Sequence, residues 1–288
     1  MGNYAVTKSG LTLSELLKTE KIKKKISDVT GRNPAAFIST ILAAVNGNDQ
    51  LQKCEPVSIF TAAITAASFN LSVDPQQGQA YLVPFKGKAT LQIGFRGYVQ
   101  LALRTGQYKK IHAGVIREGE IRAINPLTGE FTLGEKISDG VVGYAAHLEL
   151  VNGFSKTLYM SKTEAEKHAR TYSQSYAADT KKTWSMWAKN FDQMAVKTVL
   201  KKLLKNWGIL SVEMQTAIQA DQSVIDKNFF TYVDNGNNRV AQDAIDVPTA
   251  EEIPAITSGE PEFVNNETGE VLFEETAEKT PENVEAPF

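Results

Sequence analysis

Four lysines in one predicted helix are spaced so that they could contact a row of phosphates. Lys189, Lys197, Lys201 and Lys205 follow one another at steps of four or eight residues. Four residues rise about 6 Å along an α-helix, which is close to the phosphate spacing of an extended single strand. The lysines could simply form a solvated face. Because four like charges on one face repel one another, we favour contact with a nucleic-acid backbone that is bound without reading its sequence.

A second candidate region alternates aromatic and cationic side chains within residues 74–98. Tyr81 and Phe85 could stack on unpaired bases, while Lys86 and Arg96 contact phosphates, a combination used for binding single strands. The alternative is a sheet core with a charged turn. Two glutamines lie in this segment just before Gly78 and could bind base edges or cap a turn; they are Gln76 and Gln77. A further basic row lies on the strands that follow, and its members are Lys109, Lys110, Arg117 and Arg122.

The motifs of common enzyme classes are absent from the sequence. No G-x-x-x-x-G-K-[ST] loop for ATP occurs, and the three histidines lack zinc-site spacing. Cys54 is the single cysteine, which excludes an intrachain disulfide. Glu118 and Glu120 could share a metal on one strand face, although ion pairing with nearby arginines is the simpler interpretation. We therefore predict a protein without catalytic residues, metal or cofactor, and keep a metal-dependent nuclease as an alternative.

Charge divides the chain into two segments of opposite sign. Residues 1–210 contain 28 Lys and Arg against 16 Asp and Glu, whereas residues 211–288 contain 3 against 17. A basic body of this kind attracts a polyanion. We predict a nucleic-acid-binding domain over 1–222. Over 223–288 we predict an acidic, mostly disordered tail that could bind a partner.

The helices and strands expected from the sequence, which must position these residues, indicate an α+β fold. Helices are expected through the first 70 residues, with capping boxes at Thr12–Glu15 and later at Ser161–Glu164. A central, mainly antiparallel sheet with flanking helices follows, built from two hairpins among other strands. We expect a three-residue turn at 86–88 and a type I′ turn at Asn152-Gly153. A loop over 171–183 then leads into one long, basic amphipathic helix over 184–207.

Two blocks of motifs together resemble one family. The first contains YLVPF at 81–85, LQIGFRG at 91–97 and a segment ending RTGQY at 104–108. The second runs from Trp187 to Leu204 and includes FDQMAVKTVLKKLL. Both blocks are similar, in this order, to the RecT family of phage single-strand annealing recombinases, over roughly residues 10–222. The resemblance indicates a protein of a Gram-positive phage or prophage.

The resemblance implies ATP-independent binding of single-stranded DNA and annealing of complementary strands in phage-type homologous recombination. It also implies rings or helical filaments of the protein, DNA in a basic groove that runs across subunits, and a partner exonuclease. On this resemblance the domain over 1–222 is expected to carry DNA binding, annealing and oligomerisation. Among matching positions, Lys202 joins the basic set, and Gln92 joins the sheet block. Phe95 stands where tyrosine is common in the family, which removes one hydroxyl. A coating protein that binds single strands without annealing them is the second hypothesis.

The remaining expectations concern partners and location. The chain lacks a signal peptide and an apolar run long enough for a membrane span, so we expect no membrane association and a cytoplasmic location in a bacterial host cell. The acidic tail could compete with DNA for the basic groove or dock a partner protein. Its last residues, 285–288, resemble the tip of bacterial single-strand-binding proteins, which makes the host protein of that class a possible partner.

Overall fold

The computed structural model describes residues 5, 10–31, 34–125, 127–181, 183, 185–221, 223–226, 229–232 and 239–241. The chain divides into the units Met1–Ile253 and Pro254–Phe288, and all described residues belong to the first. The helices are α1 Leu13–Lys18, α2 Glu20–Thr30, α3 Pro34–Asn46, α4 Asp49–Gln52, α5 Pro56–Ser68, α6 Phe95–Arg104, α7 Lys162–Tyr172, α8 Gln174–Ala178, α9 Met186–Lys189, α10 Phe191–Trp207 and α11 Val212–Ala220. The strands are β1 Ala80–Phe85, β2 Lys88–Ile93, β3 Tyr108–Arg117, β4 Ile121–Ile124, β5 Phe131–Leu133, β6 Val141–Leu150, β7 Ser155–Ser161, β8 Ser223–Asp226, β9 Phe229–Tyr232 and β10 Arg239–Ala241. The predicted α+β class is confirmed.

The N-terminal helices form around α5, whose residues 56–67 are almost all buried. Pro56 occupies the first turn of α5, where the missing N–H costs no hydrogen bond. The predicted capping box at the start of α1 is confirmed, since Thr12 Oγ1 accepts from the Glu15 N–H and Glu15 accepts from the Thr12 N–H. None of the helices among the described residues is long and apolar enough to cross a membrane.

The β1–β2 hairpin turns through two residues rather than the three predicted. Phe85 pairs with Lys88, and both Lys86 and Gly87 have positive φ, at +46° and +78°. Two consecutive residues of this kind give the twist that matches antiparallel strands. The inner face of the hairpin packs on α5, and β2 continues to β8 in a sheet of order β1-β2-β8-β9-β10.

The second hairpin, β6–β7, has the longer turn. The Gly153 N–H donates to the Leu150 carbonyl at 3.0 Å, and the Leu150 N–H donates to the Phe154 carbonyl at 2.8 Å. Only Gly153 has positive φ in this turn. This is a type I turn closed by a left-handed glycine, so the predicted type I′ turn at Asn152-Gly153 is wrong.

The described strands form three antiparallel sheets rather than one central sheet. Strands β3, β6 and β7 form the second sheet, and β4 pairs with β5 in a separate two-stranded ribbon. We call residues 118–139, which contain this ribbon, the wing. The wing meets β7 through an edge-on ring contact between Phe131 and Tyr159 and through Lys156 Nζ, which donates to the Thr128 carbonyl at 3.4 Å.

Helix α10 lies across the three-stranded sheet and contacts all three of its strands. The predicted single helix over 184–207 is wrong, because Asn190 leaves the helical region at φ −134°, ψ 49° and separates α9 from α10. The predicted loop over 171–183 is also wrong in part, since it contains α8. Ser173 Oγ caps that helix by accepting from the Tyr176 N–H. Helix α10 ends at Trp207, which is the predicted end of the helix.

The described chain continues as strands past residue 222, where the sequence predicts the end of the folded domain. Ser223 of β8 is buried and pairs with Leu91 of β2. Strands β9 and β10 extend the same sheet. Hydrophobic periodicity is weak here because these strands have only three or four residues each. The rest of the predicted tail, from residue 242 onward, lies outside the described residues.

Candidate nucleic-acid interface

An open cleft of about 570 Å³ lies where the 74–78 loop, β1, α6, β3 and α10 meet. Three of the residues singled out from the sequence, Gln76, Tyr81 and Arg96, line it together. Phe95 adds a second aromatic ring, and both rings are about one-third exposed. The other lining residues are Pro75, Gly78, Ala113, Gly114, Val115, Asp192, Gln193 and Val196.

Two glycines fix the 74–78 loop against α6. A Cβ added at Gly94 would lie 2.2 Å from the Gly78 carbonyl oxygen, and one added at Gly97 would lie 2.2 Å from the Gln79 carbonyl oxygen. A side chain at Gly94 would therefore displace the loop, and one at Gly97 would displace Gln79, the residue that follows the loop. Within the loop, Asp74 accepts a hydrogen bond from the Gln76 N–H at 3.0 Å. The Gly-x-x-Gly spacing thus holds a glutamine-bearing loop beside the first turn of a helix.

Arg96 lies in the first turn of α6 with its side chain exposed at the cleft. Its aliphatic stem lies alongside Gly78, and Nη1 donates to the Gln77 carbonyl at 3.4 Å. The exposed guanidinium can make further hydrogen bonds to an anion. Gln77 lines a smaller neighbouring hollow of about 340 Å³, where Gln79 and Gln100 place more side-chain amides. Amides can donate to and accept from base edges.

The outer face of the β1–β2 hairpin extends from this cleft. Tyr81, Val83 and Phe85 alternate along β1 and lie opposite Gln92, Thr90 and Lys88 of β2. Directly opposed residues project to the same side of an antiparallel pair, so this face combines aromatic rings, an amide and a cation. At the tip, Lys86 Nζ lies 5.2 Å from the centre of the Phe85 ring. The structure thus brings Gln76, Gln77, Tyr81, Phe85, Lys86 and Arg96 to one continuous region.

Asp192 contributes an acidic group to the cleft. The Tyr144 hydroxyl donates to Asp192 Oδ1 at 2.6 Å and fixes the carboxylate in the first turn of α10. Burial raises the pKa of Tyr144, and the hydrogen bond to Asp192 and its charge raise it further. A carboxylate repels phosphate and accepts from base amino groups, so this side of the cleft favours bases over backbone. Asp192 and Gln193 were missed by sequence reasoning because they lie between apolar positions of the long-helix pattern.

The predicted row of four exposed lysines is wrong for two of its members, and Lys189 lies at the end of α9 rather than on α10. Lys197 is buried, and the side chain of Lys201 is only 27% exposed. Lys189 and Lys205 are exposed, as is Lys202. The four-residue spacing of Lys197, Lys201 and Lys205 is real, but α6 packs on α10, and Lys201 contacts Tyr98 of α6 and the buried Asp221 that follows α11.

Those two lysines surround a buried carboxylate. Asp221 Oδ2 accepts from Lys201 Nζ at 2.6 Å and from the Tyr98 hydroxyl at 2.7 Å, while Oδ1 accepts from the Ile93 N–H at 2.8 Å. Burial raises the pKa of Asp221, but the charges of Lys201 and Lys197 and the hydrogen bonds from Lys201 and Tyr98 outweigh it and lower the pKa to about 2. The cluster joins β2, α6, α10 and the end of α11, so its lysines stabilise the fold.

The basic row on the strands lies outside the cleft lining. Lys109 and Lys110 both pair with Glu149 on β6, at 2.6 and 3.0 Å. Arg117 donates to the Asp139 carbonyl at 2.7 Å, and the Asp139 carboxylate lies 3.4 Å away. Arg122 is exposed on the wing. Acidic partners therefore offset much of this predicted row.

Comparison with known proteins agrees with the motif resemblance. The model of the RecT family matches residues 35–232. The uncharacterized protein YqaK of Bacillus subtilis (strain 168) is 44% identical over 218 residues, which cover 75% of this chain and 74% of YqaK. Protein RecT of Escherichia coli (strain K12) is 29% identical over 188 residues, which cover 60% of this chain and 65% of that protein. The chain belongs to the RecT family of single-strand annealing recombination proteins.

Proposed function

We propose that this protein binds single-stranded DNA and anneals it to a complementary strand without ATP, in recombination of the phage type. The observation that carries the proposal is the convergence of Arg96, Tyr81 and the glutamine-bearing loop in one open cleft beside the hairpin face. Family membership supports the general role in annealing, and the cleft supports the residues that we assign to it. Coating of single strands without annealing is the second candidate.

The chemistry of this region suits an unpaired strand. Arg96, Lys86 and Lys88 offer cations for the backbone, and Tyr81 and Phe85 offer faces on which bases can stack. The cleft is open, so bases held along it stay accessible to a second strand. Base pairing supplies the free energy of annealing, and the protein's part is to hold one strand extended until the complement arrives. ATP hydrolysis is unnecessary in this mechanism.

Strand pairing measured at two salt concentrations tests the proposal. Purified protein should accelerate pairing of two complementary dye-labelled oligonucleotides without ATP, and the acceleration should fade as salt rises. The logarithm of affinity should fall with the logarithm of salt concentration by about 0.7 for each phosphate contacted. Binding without acceleration would favour the coating protein instead. Magnesium-stimulated cleavage of the strands would favour the metal-dependent nuclease.

Self-association is expected of this family, and we propose the wing as one surface that mediates it. Leu127 is 94% exposed, and Leu133 and Ile137 are each 77% exposed. Exposed apolar clusters of this kind mark interaction surfaces. The wing contains five acids and two bases, a net charge of −3. A negative net charge disfavours contact with DNA and favours contact with the basic body of a second copy.

Removing apolar side chains from the wing should therefore lower the oligomeric state. In sedimentation velocity, the double variant Leu127→Ser, Leu133→Ser should shift the protein toward smaller species. Val212→Ser is the control, because Val212 is 71% exposed but lies on α11, outside the wing. An unchanged distribution of species in the double variant would exclude the wing as a subunit contact.

The partners outside the chain are also proposals. We propose that a partner exonuclease exposes the strand that this protein binds, and that annealed duplex stays bound after pairing. The acidic residues beyond 241 could dock a host single-strand-binding protein or compete with DNA for cationic side chains. These events would take place in the cytoplasm of a bacterial host.

A further inference from the structure

A second concave region lies on the opposite flank of α10, between β7 and α7. This groove has a volume of about 430 Å³. Lys167 and His168 of α7 line it together with Lys202 of α10, and Tyr172 stands at its edge with about half of its surface exposed. The other lining residues are Leu158, Tyr159, Met160, Glu164 and Thr171. None of them lines the Arg96 cleft.

Among the described residues, the two lysines of the groove, Lys167 and Lys202, have no carboxylate within salt-bridge distance. The one acid in the lining, Glu164, is held by its capping box, where it accepts from the Ser161 N–H and hydroxyl at 2.8 Å each. The hydrogen bonds from Ser161 lower the pKa of Glu164, and the charge of Lys202 contributes in the same direction. Arg170, by contrast, pairs with Glu166 outside the groove. Two ammonium groups thus face a cavity whose single carboxylate already has donors.

His168 lies in the same groove as Lys167 and Lys202. Its ring centre is 4.6 Å from that of Tyr172 and 6.3 Å from that of the buried Trp187. Burial lowers the pKa of His168 to about 4, and the charges of Lys202 and Lys201 contribute in the same direction. The imidazole is therefore neutral at pH 7 in the free protein. A bound anion would counter the charges of Lys202 and Lys201 and favour the protonated ring, which would then donate to the anion.

We propose that this groove is a second phosphate site, which binds the backbone of single-stranded DNA away from the Arg96 cleft, with Lys167 and Lys202 as its cations. The inference rests on the proposed function, because it takes the phosphate to come from a DNA strand. Tyr172 gives the neighbouring base an exposed ring on which to stack. A protein with two separated strand contacts on the two flanks of α10 can hold more of one strand, or the incoming strand beside the first.

The first test follows the protonation of His168. The full chain contains three histidines, so selective isotope labelling of histidine gives three ring signals, and a His168→Gln variant assigns one of them. At pH 5 the His168 ring should be mostly neutral, and adding an oligothymidylate should raise its protonated fraction. The titratable groups around the His168 ring, whose charges also influence its protonation, are Glu164, Lys167, Tyr172, Lys201, Lys202 and Tyr159. A ring signal that does not respond to the oligothymidylate would overturn the proposal.

The second test repeats the His168 titration with inorganic phosphate. It distinguishes a site for the phosphates of a DNA backbone from a site for small phosphate compounds. A response to both phosphate and oligothymidylate supports a backbone site. A response to inorganic phosphate alone shows a site for small phosphate compounds and overturns the DNA assignment. If the wild-type protein binds no oligothymidylate even in an anisotropy assay, the proposed function itself fails, and the phosphate arm still reports on the groove.

The third arm uses variants of the lysines. The double variant Lys167→Gln, Lys202→Gln should abolish the His168 response and lower the salt slope of binding by about 0.7 for each phosphate that the variant no longer neutralises. Lys162→Gln is the matched control, since Lys162 is exposed on the same helix but does not line the groove. A double variant that keeps the full salt slope and the His168 response would contradict the assignment.

Discussion

Lys201→Ala is expected to lower the free energy of unfolding by about 3 kcal/mol, because it leaves a buried carboxylate without its nearest cation. Asp221 is 1% exposed, and Lys201 Nζ lies 2.6 Å from its Oδ2. Chemical denaturation monitored by circular dichroism measures the change. Lys205→Ala is the control on the same helix, since Lys205 is exposed, and it should change the free energy by less than about 0.5 kcal/mol.

Acid provides an independent readout of the same cluster. The pKa of Asp221 is lowered to about 2 in the folded protein, against about 3.9 in an unfolded chain. A lowered pKa stabilises the fold above the unfolded value, and this contribution disappears as the pH falls from about 4 to about 2. The stability difference between wild type and Asp221→Asn should shrink over that window.

The comparison of Lys201→Ala with Lys205→Ala decides the first prediction. Equal free energies of unfolding for the two variants would show that the Asp221 cluster does not support the fold.

Arg96→Ala is expected to weaken binding of single-stranded DNA by at least about tenfold while leaving stability unchanged. A hydrogen bond to a charged group contributes about 1.5–3 kcal/mol, and about 1.4 kcal/mol corresponds to tenfold in affinity. The Arg96 side chain is exposed and its one hydrogen bond within the described chain, to the Gln77 carbonyl, is long at 3.4 Å. Fluorescence anisotropy with an oligothymidylate measures the affinity.

Two comparison variants make the Arg96 result specific. Arg96→Lys keeps the charge and should recover part of the affinity, because lysine lacks the planar fork of guanidinium. Arg122→Ala removes a cation from the wing, outside the cleft, and should change the affinity less than about twofold. Equal losses of affinity in Arg96→Ala and Arg122→Ala would mean that general charge, and not the cleft, determines binding.

Local sequence signals predicted much of the fold. The capping box at Ser161–Glu164 is confirmed, and Ser161 Oγ accepts from the Glu164 N–H. Both hairpins lie where the glycine-containing turns at 86–88 and 152–153 predicted them. Capping boxes and hairpin positions depend on contacts between residues that are close in sequence. The local sequence is therefore enough to predict them. Residues 74–98 also predicted the cleft in part, since Gln76, Tyr81 and Arg96 are close in sequence.

Distant contacts account for what the sequence did not show. Lys197 and Lys201 have the periodicity of a solvated face, and only Asp221, 20 residues beyond Lys201, reveals that they face inward. The two-residue turn was expected in the β6–β7 hairpin and lies in the β1–β2 hairpin, while the longer turn lies in β6–β7. The difference arises because φ at Lys86 and Asn152 depends on strand register and twist. Gln193 joins the cleft only through the packing of α10 on the sheet, which no local pattern encodes.

The most direct test of the central claim is stopped-flow pairing of complementary oligonucleotides, without ATP, by wild-type protein and by Arg96→Ala. The cleft mechanism predicts that the wild-type protein accelerates pairing at low salt and that the acceleration disappears at high salt. It predicts that Arg96→Ala, with unchanged stability, gives at least about tenfold less acceleration at subsaturating protein concentrations. Equal acceleration by the two proteins at every concentration would contradict the assignment of the cleft as the strand-binding site.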